Sequence, residues 1–227
     1  MKTLIFSFLI LFTTILWSQD NYVLPNLDQI EKETQNKNSE FYFSKLMDRF
    51  EKGDSTMTLL EKHHLYYGYT FQEAYSPYNR LTDVIGKINE LHSKESLNQV
   101  DLKNLIDFSN TILKDFPFDL SALEYKVYAY EELDDQKNLA KTITQANIIL
   151  DAVFSTGNGR EPSSAFHVID VRNEYSILNI LGFNFGGNQA LIEESGHFYD
   201  KLTLAENQYE IPELYFDICS SYNSLAF

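Results

Sequence analysis

Apolar residues recur at helical spacing up to about Thr156, and at alternating spacing after Gly159. Phe43, Leu46, Met47 and Phe50 stand at i, i+3, i+4 and i+7, the stripe of a helix with one buried face. Gly53-Asp54 stops that helix. Thr58-Leu59-Leu60-Glu61 then spells a capping box, in which hydroxyl and carboxylate satisfy each other's free backbone amides. The helix it opens carries Tyr66, Tyr67, Tyr69 and Phe71 and is predicted to run until Ser76-Pro77. Val84, Ile88 and Leu91 predict a further helix, and Leu102, Leu105, Ile106, Ile112, Leu113 and Phe116 another, closed by Pro117. Ser121-Ala122-Leu123-Glu124 is a second capping box, ahead of Leu123, Val127, Tyr130 and Leu133. Leu139, Ile143, Ala146, Leu150 and Val153 keep helical period until Gly157.

After Gly159 the runs are short and β-prone. They are Ala165 to Val171, Ala190 to Glu193, Phe198 to Ala205 and Leu214 to Cys219. Between the first two, Glu174 to Leu181 predicts a short helix with Asn173 as cap and Gly182 as stop. Phe198, Leu202 and Leu204 share a parity, as do Leu214, Phe216 and Ile218, which predicts a small antiparallel sheet with one buried face. The fold class is α+β: mainly helical, followed by a small C-terminal mixed α/β cap with an antiparallel sheet.

The helices around Pro117-Phe118-Asp119 and Asp134-Asp135-Gln136 resemble tetratricopeptide-like helical hairpins, units that bury their apolar faces by stacking on neighbours. Val127 and Leu139 stand where small residues are usual, so the pattern is no clean repeat. The chain divides into a signal at residues 1–18, an N-terminal arm at 19–39 with one amphipathic stretch at Leu27 to Glu33, a helical region at 40–156 and a β-rich cap at 157–227.

Lys2, the apolar run from Leu4 to Trp17 and the small residue Ser18 read as a secretory signal. The expected mature chain starts at Gln19, exported to the periplasm or beyond and not inserted in the membrane. The formal net charge of −15 disfavours nucleic acid and anionic lipid as partners and leaves proteins, peptides or glycans. Cys219 is the sole cysteine, so no internal disulfide exists, and it is expected as a small buried residue of the closing strand.

Tyr42-Phe43-Ser44-Lys45-Leu46-Met47-Asp48-Arg49-Phe50, Gly53-Asp54, Leu65-Tyr66-Tyr67-Gly68-Tyr69 and Tyr75-Ser76-Pro77-Tyr78 form an ordered set. Ser155-Thr156-Gly157-Asn158-Gly159, Ala165-Phe166-His167-Val168-Ile169 and Glu174-Tyr175 continue it. Taken together, they resemble a family of exported proteins of Gram-negative (Bacteroidota-type) bacteria known as a domain of unknown function, number 4919. The resemblance spans nearly all of the mature chain and implies export and fold, with no activity attached.

Candidate chemistry is sparse. His63 and His64 are adjacent, so on a helix they point about 100° apart and cannot share one metal. Gly157-Asn158-Gly159 follows a helix and leads into Glu161-Pro162, which is turn chemistry and not a phosphate loop. Ser163, Ser164, His167 and Asp170 form no triad, because His167 and Asp170 have opposite strand parity and no nucleophile elbow exists. No cofactor, metal or catalytic residue is assigned. The function expected is an exported non-catalytic binding or scaffold protein, offering Tyr66, Tyr69, Tyr75 and Tyr78, with His64, to a partner. On a helical wheel Tyr67 and Phe71 lie with Leu60 and are expected in the core, with Tyr69 opposite and exposed. The alternative is an envelope or secreted hydrolase using His64 with Glu61 or Glu73 as an acid–base pair.

Overall fold

The computed structural model describes residues 22–225; the expected signal and the start at Gln19 lie outside them. Three short helices come first among the described residues. Helix α1 (Leu27–Gln35) is capped by Asn26, whose side chain accepts from the Gln29 amide, and it buries only Ile30 and Thr34. Helix α2 (Phe43–Lys52) ends at Gly53, whose φ of 69° is the left-handed turn expected there. Helix α3 (Leu59–Gly68) begins with the predicted Thr58–Glu61 capping box. It does not reach Ser76-Pro77. It ends at Gly68 and passes into a single 3₁₀ turn, Tyr69–Phe71, where the Gln72 side-chain amide donates to the Gly68 carbonyl that helix extension would have used.

Four longer helices follow: α4 (Thr82–His92), α5 (Gln99–Asp115), α6 (Leu120–Glu132) and α7 (Gln136–Phe154). Each packs on its chain neighbour from α4 to α7. Helix α6 starts two residues before the predicted box: Asp119 is the cap, accepting from Ala122 N at 2.9 Å. Ser121 bonds the Ser176 hydroxyl instead. Ala122 and Ala129 of α6 are fully buried in the cluster that also holds Ile88, Leu102 and Leu105.

The last part is a four-stranded sheet of order β1-β4-β3-β2, with β1 (Phe166–His167), β2 (Phe185–Glu194), β3 (His197–Leu204) and β4 (Glu213–Asp217). It is mixed: β2–β3 and β3–β4 are antiparallel, as expected, while β1 runs parallel to β4. Helix α8 (Arg172–Ile180) follows β1. Asn173 is no cap; it lies inside α8, and its amide donates to Phe118 O and the Tyr66 hydroxyl. Strand β4 stops at Asp217, and Cys219 opens the short helix α9 (Cys219–Asn223), half-buried and not the core strand residue expected.

One face of the sheet carries Phe166, Phe216, Leu202 and Leu214, all buried in the same core as Phe50, Tyr66, Ile149 and Val153 of the helices. The core is therefore continuous across the boundary drawn at residue 156. Helix α7 passes into the sheet through a tight turn. Gly157 lies so close to the Ser164 carbonyl that an added Cβ would stand 2.0 Å from that oxygen.

Candidate functional site

The aromatic run is an internal hub. Tyr66, Tyr67 and Tyr69 are buried, the last with only 4 % of its surface exposed, so neither Tyr66 nor Tyr69 can offer its ring to a partner. Leu60, on which the wheel was anchored, is 51 % exposed. Two physical causes overturn the expectation. Helix α3 packs against α1, α2 and α7, so from His63 to Gly68 it has no free side. The helix also stops at Gly68, so Phe71, only part-buried, does not continue its wheel.

The hydroxyls explain why these rings are tyrosine. The Tyr67 hydroxyl lies 3.2 Å from the carbonyls of both Ala152 and His167 and can donate to either. Tyr66 accepts from Ile169 N and Asn173 Nδ2. Tyr69 lies within bonding distance of the carbonyls of Ala74 and Asp115, and Tyr75 donates to Ile169 O at 2.6 Å. The segment after β1 is irregular and buried, so its backbone groups need partners. Tyrosine supplies ring and partner together. Only Tyr78, 43 % exposed and donating to Ser221 O, remains at the surface.

His64 is buried, stacked on Phe41 at 4.3 Å, with Nδ1 donating to Leu60 O at 2.8 Å. Its Nε2 stands 2.7 Å from Glu33 of α1. The carboxylate beside it is thus neither Glu61 nor Glu73. Glu61 caps α3 and pairs with Arg49, and Glu73 is exposed. A histidine sealed between two helices has no path to a substrate; it fastens α1 to α3. His63 points elsewhere, to the Ser155 hydroxyl at 2.7 Å, and burial lowers its pKa to about 4.

A carboxyl pair that sequence reasoning did not single out lies under the sheet. Glu174 of α8 is wholly buried and neither oxygen receives a donor. Burial, then the neighbouring Asp200, push its pKa well above the ordinary carboxyl value of 4.5. Glu174 therefore keeps its proton to higher pH than a free carboxyl; Asp200, also raised by burial, accepts from Gln189 Nε2 at 2.7 Å. Because the folded pKa is raised, the unfolded chain releases this proton first. The contribution to stability is complete below about pH 4.5 and declines as pH rises, by up to about 1.4 kcal/mol per pH unit. Glu174→Gln should raise the melting temperature at pH 7.5 and flatten its fall from pH 5, as thermal melts across that range will read. Asp170 is equally buried, but Arg172 holds it with Nε at 2.9 Å and Nη2 at 2.7 Å, a structural pair.

Two features face outward. Strand β2 is the outermost of the sheet and is exposed almost throughout. Register places Phe185, Gln189 and Leu191 on the α8 side, opposite Leu204, Leu202 and Asp200. There Tyr175 and Phe185 meet edge-to-face at 5.3 Å, and the Tyr175 hydroxyl donates to Gln189. Both rings are more than a third exposed, as is Leu191 at 54 %. Edge strands are commonly guarded by charge, proline or bulges. Here a register shift between Phe185 and Gln189 and the pair Glu193-Glu194 guard the two ends, leaving Gln189-Ala190-Leu191-Ile192 unguarded.

The second feature is on the opposite sheet face. Asp217 pairs in register with His167 of β1 and Tyr199 of β3, so His197, two residues from Tyr199, shares its side. His197 Nδ1 lies 3.0 Å from Asp217 Oδ2 and 3.6 Å from Cys219 Sγ, and His167 Nε2 lies 3.9 Å from the same carboxylate oxygen. Burial pushes the Cys219 thiol up to about 11. His167 does not meet Asp170. No sequence spacing announces this cluster, because strand pairing assembles it; the alternation of Asp217 and Cys219 is its one local trace.

Among the described residues no helix is long and apolar enough to cross a membrane. Comparison with curated proteins and with solved structures gives no match. A family model does match, over residues 28–225, nearly the whole described chain. The chain belongs to the family described as domain of unknown function DUF4919.

Proposed function

We propose that the protein is an exported, non-catalytic binding or scaffold protein, and that it takes an extended polypeptide segment as an added strand on β2. The observation that carries this reading is the unguarded stretch Gln189–Ile192 on the outer edge of the sheet. In strand addition the backbone ladder supplies affinity and alternate side chains supply choice. Tyr175, Phe185 and Leu191 provide an apolar shelf for every second side chain of the added strand. Glu193, Glu194 and the net charge of −15 favour a segment carrying Lys or Arg. Export rests on the signal-like residues 1–18. The hydrolase reading finds no support in His64, which lies sealed against Glu33.

Backbone amide exchange tests the proposal. A panel of synthetic peptides alternating Lys with Val or Ile should slow exchange across Gln189–Ile192, and Leu191→Pro should abolish that protection. Protection confined to other segments, or none with any peptide, overturns it. Protection that grows with protein concentration alone means that a second copy occupies the edge.

A further inference from the structure

Among the described residues, one place gathers three different metal-ligating side chains: His197, Asp217 and Cys219, whose donor atoms all lie within 4.8 Å of one another. A histidine, a carboxylate and a thiol could also make a proton relay. That chemistry needs the carboxylate on one ring nitrogen and the nucleophile on the other. Here both contacts fall on Nδ1 of His197. Donor atoms that crowd one point, and not opposite sides of a ring, are the arrangement of ligands around an ion.

We infer that His197, Asp217 and Cys219 form a three-ligand binding site for a divalent transition ion of the zinc type. Donors about 2.0–2.3 Å from a tetrahedral ion stand about 3.3–3.8 Å from one another; His197 Nδ1 lies 3.0 Å from Asp217 and 3.6 Å from Cys219, so small side-chain adjustments bring the three donors to that spacing. The donor set of one imidazole, one thiolate and one carboxylate suits zinc and its neighbours and disfavours calcium and magnesium, which prefer oxygen throughout.

Supporting contacts orient the ligands. Asp217 Oδ1 is occupied by the Cys219 amide at 2.9 Å, which leaves Oδ2 for the ion. The Phe198 amide donates to Cys219 Sγ at 3.2 Å, a bond that strengthens when the thiol becomes a thiolate. The ion would replace the thiol proton, which leaves to solvent. The ligands sit on β3, at the end of β4 and on the first residue of α9, held in place by the pairing of β3 with β4. Asp217 is buried while the His197 side chain is 54 % exposed, so the site is firm at its base and open on one side for an ion to enter.

The test uses the purified full chain with Zn²⁺ alone in calorimetry, and with Co²⁺ alone in absorption spectroscopy. One equivalent of either ion should bind, Co²⁺ with a thiolate-to-metal charge-transfer band. Cys219→Ser should remove that band and weaken Zn²⁺ binding at least ~10-fold. His197→Ala, at an exposed position, should weaken it as much. His92→Ala, remote from the site, should change nothing. Absence of stoichiometric binding by the wild-type chain, a band that persists in Cys219→Ser, or Zn²⁺ affinity unchanged in His197→Ala each overturns the site.

Discussion

Tyr69→Ala should destabilise the protein by about 3–5 kcal/mol, as much as Tyr67→Ala, because both rings are buried and neither faces solvent. In a chain of this length each kcal/mol moves the melting temperature by about 2–4 °C, so a loss of the order of 10 °C is expected. The ring of Tyr69 meets Phe118 edge-on at 5.4 Å, Tyr75 at 5.8 Å and Phe116 at 5.9 Å. Its burial pushes the phenol up to about 12. Tyr69→Phe separates the two contributions: the ring stays, the hydroxyl contacts go, and the expected cost is about 1 kcal/mol. Tyr78→Ala, at the surface, should move the melting temperature little. A Tyr69→Ala protein that melts with the wild type would mean that α3 has a free face after all.

The second large effect is expected at Gly157. An alanine there places its Cβ 2.0 Å from the Ser164 carbonyl oxygen and 2.6 Å from that of Ala165. Those atoms are backbone and cannot rotate away. The turn that joins α7 to the sheet must open, and with it the bond from Gly159 N to Ser164 O at 2.7 Å. Overpacking commonly costs 1–3 kcal/mol, and a clash with fixed backbone belongs at or above about 3 kcal/mol. Gly86 in α4 is the control, since nothing lies within 4 Å of its added Cβ. Gly86→Ala should stabilise by about 0.5–1 kcal/mol. Denaturant melts of the two variants should therefore move in opposite directions.

What could be read in advance follows the range of the signal. Phe43 to Phe50, Leu102 to Phe116 and Leu139 to Val153 announce their helices because a buried stripe repeats over several turns. The Thr58–Glu61 box marks a helix start because cap and partner are three residues apart. What failed depended on distant chain. Helix α1, which buries only Ile30 and Thr34, gives a weak stripe, yet it covers the side of α3 that looked free. Asn173 reads as a cap by type, but its amide is used to tie Tyr66 to Phe118. His197 and Cys219 meet only because β3 and β4 pair with Tyr199 opposite Asp217, a register that no local pattern states.

The tyrosine hub also dictates when the protein can fold. Tyr67 finds the His167 carbonyl 100 residues later, and Tyr66 finds Asn173 107 residues later. Closing a loop of that length costs about 4 kcal/mol of chain entropy before any contact repays it. During synthesis, a chain that has reached Phe154 holds all of α1 to α7 but lacks His167, Ile169 and Asn173, the partners of Tyr66, Tyr67 and Tyr75. Contacts so far apart in sequence form slowly, so the hub is completed only after residues 166–173 have been made, while α4 to α7 can pack on one another earlier.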